Sequence, residues 1–144
     1  MKKHPVTLNN ELKTDVIPYS GIEEDVIRLI KAYQVQNQVL ISSFNPKSVK
    51  LCKQIDPQIK VGFLYYQPID QVIQYAKSLQ ADAIHPDLKL VSEALIKEAH
   101  ENQLEVNIYT VNSPIYMRKL IATGVDGIFT DYPALLNEIM KEEM

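Results

Sequence analysis

Short runs rich in β-branched and aromatic residues alternate along the chain with stretches whose apolar residues recur at helical spacing. The pattern predicts a strand over Val6–Lys13, then a helix capped by Ser20 with Glu23 three residues on, its buried stripe Val26, Leu29, Ile30 and Tyr33. A second strand over Val39–Phe44 runs into Asn45-Pro46, an N-cap followed by a first-turn proline, and a helix bearing Val49, Cys52 and Ile55. The third unit pairs Val61–Tyr66 with a helix opened by Pro68, carrying Ile69, Val72, Ile73, Ala76 and Leu79.

The fourth strand is short, Ala83–Pro86, and its helix carries Val91, Leu95, Ile96 and Ala99. Val106–Val111 is the fifth, followed by Ser113-Pro114 and a helix through Leu120 and Ile121. Gly124-Val125-Asp126-Gly127 reads as a turn into Ile128-Phe129-Thr130, because it enters a strand and does not open a helix around a phosphate. Pro133 starts the last helix, with Leu135, Leu136, Ile139 and Met140. Strict strand–helix alternation predicts a parallel α/β sheet built from consecutive βα units, in one domain over residues 1–144. Eight such units need roughly 200 residues, so the expected fold is an incomplete TIM-type barrel of six units. The competing architecture is an open doubly wound sheet, which reverses its strand order at a switch point.

In parallel α/β folds the chemistry sits at the carboxyl ends of the strands. Those ends are polar here: Glu11 and Lys13, Ser43 and Asn45, Gln67, His85, Thr110 and Asn112, Thr130 and Asp131. Alternation puts Asn9, Glu11 and Lys13 on one face of the first strand and Leu8, Asn10 and Leu12 on the other. A carboxylate and an ammonium spaced this way suit a divalent ion and a phosphate; they equally suit a buried ion pair that fills space. His85 is expected as a hydrogen-bonded rim residue, with general acid–base work as the sharper alternative. His4 and His100 are expected to face solvent. Tyr65, Tyr66, Phe44 and Tyr109 fill the core or line a substrate groove.

Composition narrows the partners. The 144 residues carry a net charge of -3 with no basic run, which argues against nucleic acid. No apolar stretch approaches the roughly 20 residues of a membrane span, and the start has no apolar segment behind its basic residues. A cytoplasmic setting is the expectation. The lone Cys52 has no disulfide or metal partner and is placed in the core.

Three segments together resemble the glycerophosphodiester phosphodiesterase family: Leu8-Asn9-Asn10-Glu11-Leu12-Lys13, Ile41-Ser42-Ser43-Phe44, and Tyr109-Thr110-Val111-Asn112 followed by Gly124 through Pro133. The resemblance covers essentially the whole chain and places it in the PLC-like phosphodiesterase superfamily of (β/α)₈ barrels. It implies hydrolysis of glycerophosphodiesters to glycerol 3-phosphate and an alcohol, helped by a divalent metal, Mg or Ca. Glu11 matches a metal-binding carboxylate and Lys13, the catalytic candidate, a lysine that contacts the phosphate. Phe44 and Tyr109 match aromatic substrate-binding positions, Tyr109 standing where the family usually has tryptophan.

The departures are as informative. Nothing here matches the family's His-Arg-Gly at the end of its first strand, the Glu-x-Asp on its second, or the His-Asp shortly after. Those segments supply the acid–base histidines and most metal ligands, so this chain corresponds to strands three to eight, with metal binding expected to be weak or absent. Two functions follow as expectations. One is a phosphodiesterase-type domain with little or no turnover as a lone chain, acting if at all on a glycerophosphodiester or related phosphate. The other is an assembly module that forms a homo-oligomer or pairs with a complementing N-terminal half.

Overall fold

The computed structural model describes residues 6–143. The elements follow the order β1 (Leu8–Glu11), α1 (Ile22–Ala32), β2 (Val39–Ser43), α2 (Pro46–Ile55), β3 (Lys60–Tyr65), α3 (Val72–Ser78), β4 (Ala83–Pro86), α4 (Glu93–Glu101), β5 (Glu105–Ile108), α5 (Pro114–Thr123), β6 (Gly127–Ile128) and α6 (Pro133–Glu143). Short 3₁₀ turns precede β2 and α4. Strand order is the chain order, β1-β2-β3-β4-β5-β6, without the reversal that an open doubly wound sheet requires.

Two compact units make up the chain: residues up to Leu64 with Gln74–Ala83, and Tyr65–Ile73 with Ile84 onward. In the first, β1 and β2 are parallel in the register Leu8↔Val39 to Glu11↔Ser42. β2 and β3 continue from Leu40↔Lys60 to Ser43↔Phe63. Partners in register share a face, so Asn9 and Glu11 stand with Leu40, Ser42 and Gly62. The alternate positions Ile41, Val61 and Phe63 are buried with Ile27 and Ile30 of α1 and Val49 and Cys52 of α2. In the second unit β5 and β6 are parallel through Asn107↔Gly127 and Ile108↔Ile128, and Asp87 bridges Tyr109. Its buried apolar set includes Ile84, Ile96, Val106, Ile108, Met117, Leu120 and Ile139.

One device recurs where strands begin. Asp82 Oδ2 accepts the Val61 N–H and a proton of Lys53 Nζ, each at 2.8 Å. In the second unit Asp126 Oδ2 accepts the Val106 N–H at 2.8 Å and lies 2.7 Å from His100 Nε2. Each carboxylate ties a helix end to the first residues of a strand. His100 is exposed, as its helix position suggests, and its ring also engages Asp126. The reading of His4 lies outside the described residues.

Several boundaries differ from the sequence pattern. β1 starts at Leu8 and ends at Glu11, leaving Lys13 beyond the strand. Ser20 caps nothing: α1 opens after Gly21, at φ +85°, with no side-chain cap. Glu23 instead turns inward and accepts from Ser48 Oγ at 2.7 Å, which is why it is buried. Of the expected stripe only Ile30 is fully buried, joined by Ile27, while Leu29 and Tyr33 are 55% and 66% exposed. α3 begins at Val72, four residues past Pro68. The turn at Gly124 holds as a left-handed helix cap at φ +82°. No described helix is long and apolar enough to cross a membrane.

Candidate active site

In the first unit the candidate residues hang on the carboxyl end of β1. Glu11 and Lys13 are both exposed, while Leu12 and Thr14 beside them are buried. The backbone between is fixed from β2 and the loop after it. Leu12 N–H donates to Ser42 O at 2.7 Å, and Ser43 Oγ–H donates back to Leu12 O at 2.7 Å. Asn45 Nδ2 donates to Thr14 O at 3.0 Å while its Oδ1 caps α2 through the Lys47 N–H.

Below Thr14 the hydroxyls form a directed chain. A carboxylate only accepts, so Ser48 Oγ–H points to Glu23, and Thr14 Oγ1–H therefore donates to Ser48 Oγ at 2.5 Å. Lys13 is thus flanked on both sides by anchored backbone, and its ammonium projects outward. Neither Glu11 nor Lys13 is buried, and no ion pair joins them among the described residues. They do not fill space as a buried salt bridge.

Phe44 directly follows β2 and is half-buried. In the second unit Tyr109 follows β5, half-buried, its hydroxyl donating to Tyr65 O at 2.9 Å. It lines a cleft of ≈ 980 Å³ with Asp87, Lys89, Tyr116 and Lys119. The four aromatics divide: Tyr65 is core at 5% exposure, Tyr66 is 52% exposed, and Phe44 and Tyr109 lie between. The ends of β5 and β6 are bracketed by Asn112, whose Nδ2 donates to Asp131 Oδ2 at 2.8 Å and whose Oδ1 accepts the Asp131 N–H at 3.0 Å.

His85 is not a rim residue. It is wholly buried in β4, 3.0 Å from Asn107 Nδ2 and against the Phe129 ring. An amide nitrogen only donates, so Nε2 is the acceptor and the ring proton resides on Nδ1, which has no partner among the described residues. Burial lowers its pKa to about 4, so the ring is neutral at pH 7. A neutral, enclosed ring with Nε2 already engaged does not serve as an exposed general acid or base.

Two polar atoms of the first unit were not legible as site candidates: Ser42 Oγ and Asn9 Oδ1, both buried and without a hydrogen-bond partner among the described residues. Alternation along β1 already puts Asn9 on the Glu11 face, and the register of β1 on β2 adds Ser42 to it. The described residues contain no group of three or more His, Cys, Asp or Glu placed to hold a metal. Beside Glu11 the face offers only neutral oxygens, Ser42 Oγ and Asn9 Oδ1, so a divalent ion held there would draw most of its ligands from water while supplying positive charge against a phosphate.

Sequential parallel strands, each followed by a helix and ending in polar groups, define an α/β protein of the TIM-type barrel class, here with six consecutive units. The sequence pattern of the glycerophosphoryl diester phosphodiesterase family matches residues 4–135, and the chain belongs to that family.

Among curated relatives, an uncharacterized protein, YqiK, of Bacillus subtilis is 35% identical over 143 residues, 98% of this chain and 59% of its own length. A glycerophosphodiester phosphodiesterase of Bacillus altitudinis is 35% identical over 137 residues, 94% of this chain and 56% of its own. The chain therefore spans little more than half the length of these relatives. A crystal structure of a glycerophosphodiester phosphodiesterase from Parabacteroides distasonis aligns with a TM-score of 0.87 at 22% identity, over 99% of this chain and 60% of that one. An Oleispira antarctica phosphodiesterase, solved with the product sn-glycerol-3-phosphate, aligns with a TM-score of 0.80 at 24% identity, over 94% of this chain and 55% of that one.

Proposed function

We propose that this chain carries the phosphate-facing part of a glycerophosphodiester phosphodiesterase, and that as a lone chain it turns substrate over weakly or not at all. The observation behind the reading is the anchored end of β1, which presents Glu11 and Lys13 outward from a backbone held at Leu12 and Thr14. Lys13 is the group that meets the phosphate, Glu11 the carboxylate that faces a divalent ion, Mg or Ca, and Phe44 and Tyr109 the aromatic contacts to substrate. The substrate class is a glycerophosphodiester, cleaved to glycerol 3-phosphate and an alcohol. The glycerol phosphate in the Oleispira antarctica structure supports that ligand chemistry.

Weak turnover follows from the donor set. A hard divalent ion takes about six oxygen ligands, and one carboxylate leaves water to supply most of them. Absent general acid and base groups cost about 10² to 10⁴-fold for each role. The test is glycerol 3-phosphate release from glycerophosphocholine and glycerophosphoethanolamine by the purified chain with Mg²⁺ or Ca²⁺. The expected rate is that of the metal-containing buffer, and efficient metal-dependent turnover contradicts the reading.

A second reading, an assembly module, is favoured by one observation in the first unit. β1 pairs with β2 on one side, and Val6, Leu8, Leu29 and Tyr33 are exposed at 54%, 43%, 55% and 66%. It predicts a homo-oligomer, or a heteromer with a separately supplied N-terminal half. A monomeric mass in light scattering, unchanged when that half is added, contradicts it.

A further inference from the structure

We infer that Ser42, with Asn9 beside it, adds neutral oxygen donors to the Glu11 carboxylate and makes this face of β1 and β2 a low-affinity site for a hard divalent cation. The inference rests on the proposed role of Glu11 and extends it to two residues with no role in the chemistry described above.

The sheet geometry carries it. Glu11 and Ser42 are Cα partners across β1 and β2, and Ser42 is in turn the partner of Gly62 on β3. Neighbours in register place their side chains on one face, about 4.8 Å apart. Gly62 contributes no side chain there, so Ser42 has Glu11 on one side and bare backbone on the other. Asn9 lies two residues before Glu11 on the same face, roughly 6.6 Å back along the strand.

The hydrogen bonding singles out the same residues. Ser42 is 0% exposed and its hydroxyl has no partner among the described residues; Asn9 is half-buried, and its Oδ1 is likewise enclosed and without a partner there. The neighbouring Ser43 behaves in the ordinary way, donating to Leu12 O and accepting from Asn45 N–H. Buried hydroxyls and amides are almost always paired, so two orphans on the face that bears an unpaired carboxylate call for a ligand that wants oxygen. Serine hydroxyls and asparagine carbonyls are ordinary ligands of Mg²⁺ and Ca²⁺.

One carboxylate with two neutral oxygens sets the affinity in the millimolar range. The experiment is a titration of the isotope-labelled chain with Mn²⁺, followed by paramagnetic broadening of backbone amides, with thermal melts of every variant. Broadening centred on Glu11 and Ser42 is expected. Ser42→Ala raises the apparent dissociation constant about fivefold without lowering Tm, because it removes a hydroxyl that makes no bond in the fold. Ser42→Thr, which keeps the hydroxyl, restores most of the affinity, and Asn9→Asp tightens binding at least about threefold.

Broadening at Glu11 that Glu11→Gln abolishes but Ser42→Ala leaves unchanged overturns the inference and spares the role of Glu11. Broadening spread evenly over surface carboxylates overturns both.

Discussion

Lys53 Nζ lies 2.8 Å from Asp82 Oδ2, and the same oxygen accepts the N–H of Val61, the second residue of β3. The ammonium is almost fully enclosed, at 7% side-chain exposure, and also donates to Pro57 O and Ile59 O. Asp82 is 34% exposed, so solvent screens part of the attraction. Asp82→Ala leaves a strand N–H and a buried ammonium short of an acceptor. It is expected to cost about 1–3 kcal/mol in urea unfolding. Asp126→Ala, at the more exposed copy of this clamp beside His100, costs about 1 kcal/mol.

His85 makes stability depend on pH. Its folded pKa is lowered from 6.5 to about 4 because burial disfavours the charged ring. The unfolded chain binds the proton more readily, so the contribution is fully present above pH 6.5 and is lost as pH falls toward 4. The slope approaches 1.4 kcal/mol per pH unit within that window, or about 3 kcal/mol across it. Urea midpoints measured from pH 7 to pH 4 check this, and in His85→Gln the excess slope is expected to vanish.

Gly127 and Asn107 are tightly matched across β5 and β6. A Cβ on Gly127 would collide with Asn107 Oδ1, and Asn107 is held in place by His85. Gly127→Ala must displace the amide and is expected to destabilise by about 1–3 kcal/mol. In a double-mutant cycle, Asn107→Ala relieves the clash, so the pair of substitutions costs less than the sum of the two.

Cys52 is wholly buried, and burial, followed by the nearby Glu23 and Glu24 charges, pushes its thiol up to about 12. The thiolate is the reactive form, so the native chain is expected to resist a disulfide reagent at pH 8. Labelling then proceeds at the rate of unfolding. Fast labelling of the folded chain contradicts this placement.

Much of this was legible in the amino-acid pattern, for identifiable reasons. Strand–helix alternation and the first-turn prolines Pro46, Pro114 and Pro133 placed most elements, because fixed φ and apolar period are local properties. The α1 start was misread because Ser20 and Glu23 carry the letters of a capping box, while the fold uses Gly21 for the turn and draws Glu23 toward Ser48. Leu29 and Tyr33 fit the helical period, yet the fold leaves them exposed. In the site, Glu11 and Lys13 stood out by alternation along a single strand. Ser42 did not, because its relation to Glu11 depends on inter-strand register, which no local pattern encodes. The enclosure of His85 likewise comes from Asn107 and Phe129, distant in sequence.

The central claim is that Glu11 and Lys13 at the end of β1 form a phosphate-binding edge. Its most direct test is an NMR titration of the 144-residue chain with sn-glycerol 3-phosphate in the presence of Mg²⁺. Shift changes are expected to concentrate on Glu11 to Thr14 and the end of β2, and Lys13→Met, at an exposed position, should weaken binding by about tenfold while leaving Tm unchanged. Shift changes confined to other surfaces, or an affinity that Lys13→Met does not alter, would contradict the account.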